Sequence, residues 1–208
     1  MAPGGHQQFN QISFKGELVR KGTHMFALVI PGSYYFLGLS KAEALYFMVP
    51  ITVLMFLIDI SRLRGGRLWK AFARKFVVIM IREHETAGDF TGAAYILLSS
   101  CFTIAFYDKP VAIAALAFII VGDTLAALIG RKFGRHKFGT KSVEGSLGCL
   151  LGTVLVALAA PDLALSVGLL GAVTATVVEA LSGSIDDNVT VPVISGLVMT
   201  IFMKISAA

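Results

Sequence analysis

The chain has 208 residues, of which 56% are hydrophobic, and a mean hydropathy of +0.78. Long apolar stretches carry almost no charge, which excludes an ordinary soluble domain. The net charge of +5 becomes informative only once the basic residues are placed along the chain. The composition therefore predicts an integral membrane protein.

A transmembrane helix needs about 20 mainly apolar residues. Seven segments approach this length: residues 25–39, 42–60, 90–107, 110–129, 147–160, 163–181 and 189–205. The polar first 23 residues lack the apolar core and cleavage pattern of a removable signal peptide. We therefore expect an all-α, polytopic membrane protein with about seven transmembrane helices, forming a single domain over residues 1–208.

Basic residues alternate between the two sides of these predicted helices. Fifteen of the 18 Lys and Arg residues lie before the first, between the second and third, or between the fourth and fifth helix. Only Lys41, Lys109 and Lys204 fall on the other side. The positive-inside rule then predicts a cytoplasmic N-terminus. We expect a prokaryotic cytoplasmic membrane, with the active site facing the cytoplasm.

Residues 66–82 mix apolar and basic side chains, for example Trp69 and Phe72 with Arg67, Lys70 and Arg74. This pattern is typical of an amphipathic helix lying in the headgroup layer. Binding of anionic lipid is the favoured interpretation. A collar for a lipid substrate that enters sideways is the alternative.

Asp123 is an acid inside an apolar segment, where a carboxylate is costly unless it faces water, a cation or a substrate. The loop after it holds Gly130, Arg131, Lys132 and Gly134. Glycines let a ligand approach the backbone, and the cations balance phosphate charge. Positive-inside topology alone also explains such a loop, so the loop is not specific by itself.

A second group follows at the start of the next helix, where Lys141 and Ser142 precede Glu144. Ser142 is a good helix cap, and helix N-termini attract anions. Glu144 is a candidate catalytic and metal-binding acid. Its alternative role is a favourable contact with the helix dipole.

The end of the sixth apolar segment carries Glu179, followed by Asp186, Asp187 and Asn188. Carboxylates grouped at one helix end favour a divalent cation, and Mg²⁺ typically takes one or two carboxylates together with substrate phosphates. A solvated turn explains the two aspartates equally well. It does not explain Glu179, which lies inside the apolar segment.

Near the N-terminus, Glu17, Arg20, Lys21 and His24 recur at steps of three or four residues on one side of the entering helix. This spacing predicts local ion pairs. His24 is also a candidate base or phosphate contact.

Two stretches resemble the signature of the dolichol kinase, phytol kinase and CTP-dependent diacylglycerol kinase family. They are residues 122–134, Gly-Asp-Thr-Leu-Ala-Ala-Leu-Ile-Gly-Arg-Lys-Phe-Gly, and residues 141–146, Lys-Ser-Val-Glu-Gly-Ser. Residues 17–24, 92–95, 178–181 and 187–192 are similar to the same family. Together these segments extend over nearly the whole chain, apart from the first dozen residues and the basic segment.

The resemblance implies transfer of the γ-phosphate of CTP to the hydroxyl of a membrane lipid alcohol, with Mg²⁺. It implies Asp123, Glu144 and Glu179 as catalytic acids and Asp123, Glu144 and Asp187 as metal ligands. The nucleotide-binding residues would be Gly130, Arg131, Lys132, Gly134, Lys141, Ser142 and Asn188. The acceptor, whether a polyprenol, phytol or diacylglycerol, stays open.

Two alternatives remain. The phosphatidate cytidylyltransferases (CDP-diacylglycerol synthases) share the aspartate, the Gly-Arg-x-x-Gly loop and the Lys-x-x-Glu-Gly helix start, but usually end with a Gly-His-Gly-Gly segment and paired aspartates that do not occur together here. A small ion-coupled transporter is the second alternative, disfavoured because no inverted repeat is evident. The expected partners are the bilayer, a lipid alcohol and CTP, with no nucleic acid; a homodimer stays open.

Overall fold

A computed structural model describes residues 14–65, 89–183 and 185–206. These residues form eight helices and one short hairpin. The helices are α1 (Phe14–Phe26), α2 (Val29–Phe36), α3 (Lys41–Leu63), α4 (Gly92–Phe106), α5 (Lys109–Phe133), α6 (Val143–Ala159), α7 (Leu165–Leu181) and α8 (Asp187–Ser206). The strands β1 (Lys137–Phe138) and β2 (Lys141–Ser142) lie between α5 and α6.

Helix α5 lies at the centre of the bundle and packs against α1, α2, α4, α6, α7 and α8. Its residues 111–116 and 118–120 are almost all inaccessible and form the middle of the hydrophobic core. A helix that is apolar on every side is buried either in a protein core or in a membrane. Asp123 lies on this central helix and is therefore held by the most enclosed part of the fold.

Glycines bring α5 and α6 unusually close together. A Cβ atom added to Gly145 would lie 3.0 Å from the Ala126 carbonyl oxygen and 3.3 Å from Gly130 Cα. One added to Gly148 would lie 2.8 Å from Ile129 Cδ1. Small residues let helix backbones approach each other and replace side-chain contacts with backbone contacts. The two helices that carry Asp123 and Glu144 thus share a tight interface.

The hairpin connects α5 to α6. Lys137 pairs with Ser142 and Phe138 with Lys141 in antiparallel register. Gly139 occupies the turn with φ +57°, a conformation that glycine adopts at little cost. The hairpin therefore brings Lys141 to the start of α6, where the Ser142 side chain accepts a hydrogen bond from Gly145 N, as its predicted capping role requires.

Three described helices, α3, α5 and α8, are long and apolar enough to cross a membrane, and α4, α6 and α7 are shorter apolar helices. The first predicted span is not one continuous helix. Helix α1 ends at Phe26, and α2 has only 8 residues. Pro31 lacks the N–H that would continue the helical hydrogen bonding past Ala27, which accounts for the separate start of α2. Seven transmembrane crossings therefore stay a prediction, as does their orientation.

Helices α3 and α4 are joined by a buried polar contact. Asp59 accepts hydrogen bonds from Thr91 N at 2.7 Å, from Thr91 Oγ1 at 2.8 Å and from Arg62 Nε at 2.9 Å. A buried carboxylate needs such donors to offset its lost hydration. Asp59 therefore serves the junction of α3 with the start of α4. The predicted interfacial helix, residues 66–82, lies outside the described residues.

Candidate active site

Three carboxylates from three helices meet beside the C-terminal half of α5. Asp123 of α5, Glu179 of α7 and Asp187 of α8 each place a carboxylate oxygen within 4.8 Å of the others. Asp123 and Glu179 are buried, and Asp187 is half-buried. We call these three residues the acid cluster. Like charges so close together repel one another, so the cluster requires cations as neighbours.

Two lysines supply positive charge to the acid cluster. Lys21 is almost fully buried, and its ammonium contacts Asp123. Lys141 contacts the Glu179 carboxylate, donates to the Glu179 carbonyl oxygen at 2.7 Å and lies 3.3 Å from Asp187. Burial by itself lowers the pKa of Lys141, but Asp187 and Glu179 outweigh burial and raise it. Lys141 is therefore a permanent cation beside the acids.

The acid cluster borders a polar cavity of about 610 Å³. Its walls include the end of α5, the hairpin and the first turn of α6, together with Glu179 and Asp187. Arg131, Lys137 and Lys141 place three cationic side chains around this space. Pockets of several hundred Å³ with a few converging polar groups are typical ligand sites. A phosphate-bearing ligand fits the combination of acids, cations and glycine backbone.

A second cavity, of about 760 Å³, lies between α1, α2, α3 and α4 and is lined mainly by apolar side chains. Its polar end includes Arg20, His24 and Asn188. His24 Nε2 lies 3.5 Å from the Asp123 carboxylate, and Asn188 directly follows Asp187. The two cavities therefore approach each other at the acid cluster.

The N-terminal helix holds one wall of the polar cavity in place. Glu17 is buried and contacts Arg20 within α1, as its spacing predicted, and it lies 3.4 Å from Arg131 of α5. Burial raises the pKa of the Glu17 carboxyl, but Arg20, Lys21 and Arg131 together outweigh burial and leave it lowered. Glu17 stays ionised and ties Arg131 to α1.

The remaining predicted residues are distributed differently. Gly130, Gly134 and Ser142 line the polar cavity. Lys132 places its ammonium 5.2 Å from the centroid of the Phe133 ring and does not line that cavity. Asn188, predicted for the nucleotide, lines the apolar cavity instead.

Glu144 lies apart from the acid cluster. Its carboxylate contacts His136 Nδ1 at 2.7 Å and accepts weaker hydrogen bonds from His136 N at 3.3 Å. The hydrogen bond to His136 lowers the pKa of Glu144 to about 2. Its contacts place Glu144 at the base of the hairpin; its predicted role as a metal ligand stays a prediction.

The acid cluster fits a divalent cation on two counts. Its three carboxylates are the oxygen ligands that Mg²⁺ prefers. Glu179 Oε2 is buried and has no hydrogen-bond partner in the described part of the chain, although buried polar atoms are normally paired. A cation bound between these acids would satisfy that oxygen.

Sequence reasoning missed Lys137, Thr140 and Ser146 as cavity-lining residues. The turn at Gly139 carries the signal for the first two, because a glycine between Lys137 and Thr140 permits the tight turn of a hairpin. Ser146 lies one turn after Ser142 at the start of α6, and only the packing of α6 on α5 directs it to the cavity.

The chain is similar in sequence to two proteins named as lipid kinases and to one uncharacterized protein. The chain is 26% identical to CTP-dependent diacylglycerol kinase 1 of Saccharomyces cerevisiae over 227 residues, 96% of this chain and 78% of the yeast protein. It is 25% identical to the protein of the same name in Schizosaccharomyces pombe, covering 94% of this chain and 97% of that one. An uncharacterized protein of Rickettsia prowazekii is 27% identical over 198 residues, 91% of this chain and 96% of that protein. These similarities support the polyprenol and lipid kinase family.

No protein-family model matches the chain. No solved structure matches it either.

Proposed function

We propose that this protein is a membrane-embedded kinase that transfers the γ-phosphate of CTP to the hydroxyl group of a lipid alcohol. The observation that carries the proposal is the approach of a polar, cation-lined cavity and an apolar cavity at Asp123. A water-soluble nucleotide and a hydrocarbon-bearing alcohol have to meet in such an arrangement. The similarity to two CTP-dependent diacylglycerol kinases supports CTP as the donor.

The nucleotide belongs in the polar cavity. Its phosphates are bound by Arg131, Lys137 and Lys141. The absence of side chains at Gly130 and Gly134 lets the phosphates approach the backbone. Phosphoryl transfer asks a protein mainly for positioning and charge stabilisation. Asp123, Glu179 and Asp187 would hold Mg²⁺, which supplies positive charge to the phosphate oxygens when it is bound.

The reaction forms a bond between the lipid oxygen and the γ-phosphorus and breaks the bond between that phosphorus and the β,γ-bridging oxygen, so CDP leaves. The hydroxyl also loses a proton. His24 lines the apolar cavity, and its Nε2 lies 3.5 Å from the Asp123 carboxylate. This pair is therefore the candidate acceptor of the hydroxyl proton. A base must be within hydrogen-bond reach of the proton it takes, so before transfer the hydroxyl has to turn its proton toward this pair.

The site geometry favours the kinase over both alternatives. A transport path needs polar groups that continue across the membrane, whereas the acid cluster and its lysines gather where the C-terminal half of α5 meets the end of α7 and the start of α8. A cytidylyltransferase needs a charged lipid phosphate as the nucleophile. The comparisons contain two lipid kinases that match this chain over nearly its whole length, and they support neither alternative. They give no support to a homodimer.

The test is a transfer assay on the purified full chain in lipid micelles, with CTP labelled separately at the γ- and α-positions. The acceptors are diacylglycerol, phytol, a polyprenol and phosphatidate, each with Mg²⁺. We expect γ-label in a lipid product. Label from the α-position in lipid, together with pyrophosphate release, would assign the chain to the cytidylyltransferases. Omission of Mg²⁺ is expected to abolish transfer.

A further inference from the structure

We propose that the apolar cavity between α1, α2, α3 and α4 binds an uncharged lipid alcohol, whose hydroxyl donates a hydrogen bond to the side-chain oxygen of Asn188. This inference rests on the proposed kinase activity for its biological meaning, but the binding site itself follows from the cavity and its polar end. It moves Asn188 from the nucleotide to the acceptor.

The orientation of the Asn188 amide is fixed by its neighbour. Its Nδ2 donates to Asp186 Oδ1 at 2.7 Å, and its backbone N donates to the same oxygen at 2.9 Å. A carboxylate only accepts, so the amide nitrogen has to face Asp186. The amide oxygen is thereby directed away from Asp186, and the residue lines the apolar cavity.

Asn188 Oδ1 is buried and has no hydrogen-bond partner within the described ranges of the chain. The residue as a whole is only 3% exposed. A buried acceptor without a donor costs about 1–3 kcal/mol, so such an atom is normally satisfied by a ligand or water. A hydroxyl group is the donor that a lipid alcohol brings.

The walls of the cavity suit hydrocarbon. They include Met48, Ile51 and Met55 of α3 and Ile96 and Leu97 of α4. Methionine side chains are flexible and adapt to ligands of irregular shape. These five side chains are uncharged and suit a hydrocarbon tail.

The cavity also reaches the outer surface of the bundle. Among its lining side chains, Phe26 is 76% exposed, Leu37 70% and Phe47 58%. Large apolar side chains exposed at this level indicate contact with lipid when they belong to a membrane protein. An acceptor can therefore enter from the bilayer between α2 and α3.

The polar end of the cavity favours a neutral headgroup. Among the lining residues that the structure describes, Arg20 alone is a Lys or Arg, and its guanidinium contacts Glu17. Asp123 lies 3.5 Å beyond His24. A phosphomonoester carries one to two negative charges, and the guanidinium of Arg20 is already paired with Glu17. A phosphate-bearing lipid is therefore a poor occupant, and an alcohol is a good one.

The first experiment separates the two substrates kinetically. Asn188→Leu removes the acceptor at similar size, and we expect the KM for dioleoylglycerol or phytol, whichever the wild type phosphorylates, to rise about tenfold, as loss of one hydrogen bond predicts. The KM for CTP should change less than twofold. Ser195→Ala is the control, because Ser195 is a buried polar residue of α8 that lines neither cavity. Asn188→Ser, which keeps an acceptor oxygen, should recover part of the loss.

The second experiment reads binding without turnover. A long-chain alcohol bearing a diazirine in its hydrocarbon tail should label α3 and α4 within residues 48–55 and 92–97. Ala93→Phe fills the cavity and should reduce this labelling at least fivefold, whereas Ala42→Phe, the same change at an exposed position of α3 outside the cavity, should not. Excess dioleoylglycerol should compete with the label, and phosphatidate should compete poorly.

The outcomes distinguish failure of the kinase proposal from failure of the lipid-site proposal. If the wild type transfers no γ-phosphate but the labelling pattern holds, the lipid site stands and the kinase proposal fails. If transfer occurs but Asn188→Leu raises the KM for CTP and leaves that for lipid unchanged, Asn188 belongs to the nucleotide and the inference is wrong. Labelling unaffected by Ala93→Phe, or equal competition by phosphatidate, would also overturn it.

Discussion

The acid cluster and the contact between His136 and Glu144 are two carboxylate sites built on adjoining helices, yet their surroundings differ sharply. Asp123 and Glu179 are buried and held by lysines from distant parts of the chain. Glu144 has a side chain that is 22% exposed, and it contacts a histidine only eight residues away. One site depends on the tertiary fold and the other on local structure.

This difference bears on what each carboxylate can do. A buried acid in a low-dielectric site interacts strongly with metal ions and with transferring phosphate. An acid at the base of a hairpin acts mainly by holding that hairpin, here the one that carries Lys137 and Lys141 over the polar cavity. We therefore expect large catalytic effects in the acid cluster and smaller, binding-related effects at Glu144.

The largest expected effect is that of Asp123→Asn. Loss of this carboxylate removes one of three metal-ligating groups and the partner of His24, and kcat should fall about 1,000-fold or more. The measurement is γ-phosphate transfer alongside thermal unfolding in detergent, because Lys21 loses its ion-pair partner as well. Asp162→Asn, in an exposed turn that asparagine tolerates, is the control and should retain activity. Near-normal turnover by Asp123→Asn would contradict a catalytic role for the acid cluster.

Lys141→Met should have the next largest effect. It removes the cation that joins Glu179 to Asp187 and faces the polar cavity, so kcat/KM for CTP should fall about 100-fold. Lys141→Arg keeps the charge and should recover at least part of this loss. If Lys141→Met lowers only the unfolding temperature and leaves kcat/KM intact, Lys141 serves stability alone.

The close packing of α5 on α6 sets the third prediction. Gly145→Ala would place a Cβ 3.0 Å from the Ala126 carbonyl oxygen and 3.1 Å from Ser142 Oγ, so the helices have to separate. Overpacking of this kind costs about 1–3 kcal/mol. Gly32→Ala is the matched control, since a Cβ there meets no atom within 4 Å. Denaturant unfolding should show a lower free energy of unfolding for Gly145→Ala and no decrease of that size for Gly32→Ala.

Much of the helical architecture is predictable from the sequence, because apolar segments of adequate length are local features. Helices occur in each of the seven predicted segments. The separation of α1 from α2 was missed, because residues 25–39 carry no charge and only the backbone constraint at Pro31 indicates a break.

The candidate site was predictable by residue type but not by arrangement. Asp123, Glu179 and Asp187 each stood out as acids in or beside apolar segments, whereas their mutual distances depend on how α5, α7 and α8 pack. Asp187 and Asn188 are neighbours in sequence but line different cavities. Successive residues of a helix point about 100° apart, and only the packed neighbours decide what each one meets.

The smallest effect, and the sharpest test of the comparison, is expected for Glu144→Gln. The substitution weakens the contact with His136 and loosens the hairpin, so the KM for CTP should rise about fivefold to tenfold while kcat changes little.

The same variant should also change the pH dependence of stability. The pKa of Glu144 is lowered from 4.5 to about 2 by its hydrogen bonds to His136, so its stabilising contribution is present above pH 4.5 and is lost as the pH falls toward 2. Wild type and variant should therefore differ in unfolding temperature at pH 6 and converge at the acid end of this range, with a small difference because the side chain is partly exposed. A fall in kcat comparable to that of Asp123→Asn would instead place Glu144 functionally with the acid cluster, and the contact with His136 would then describe only the state without ligands.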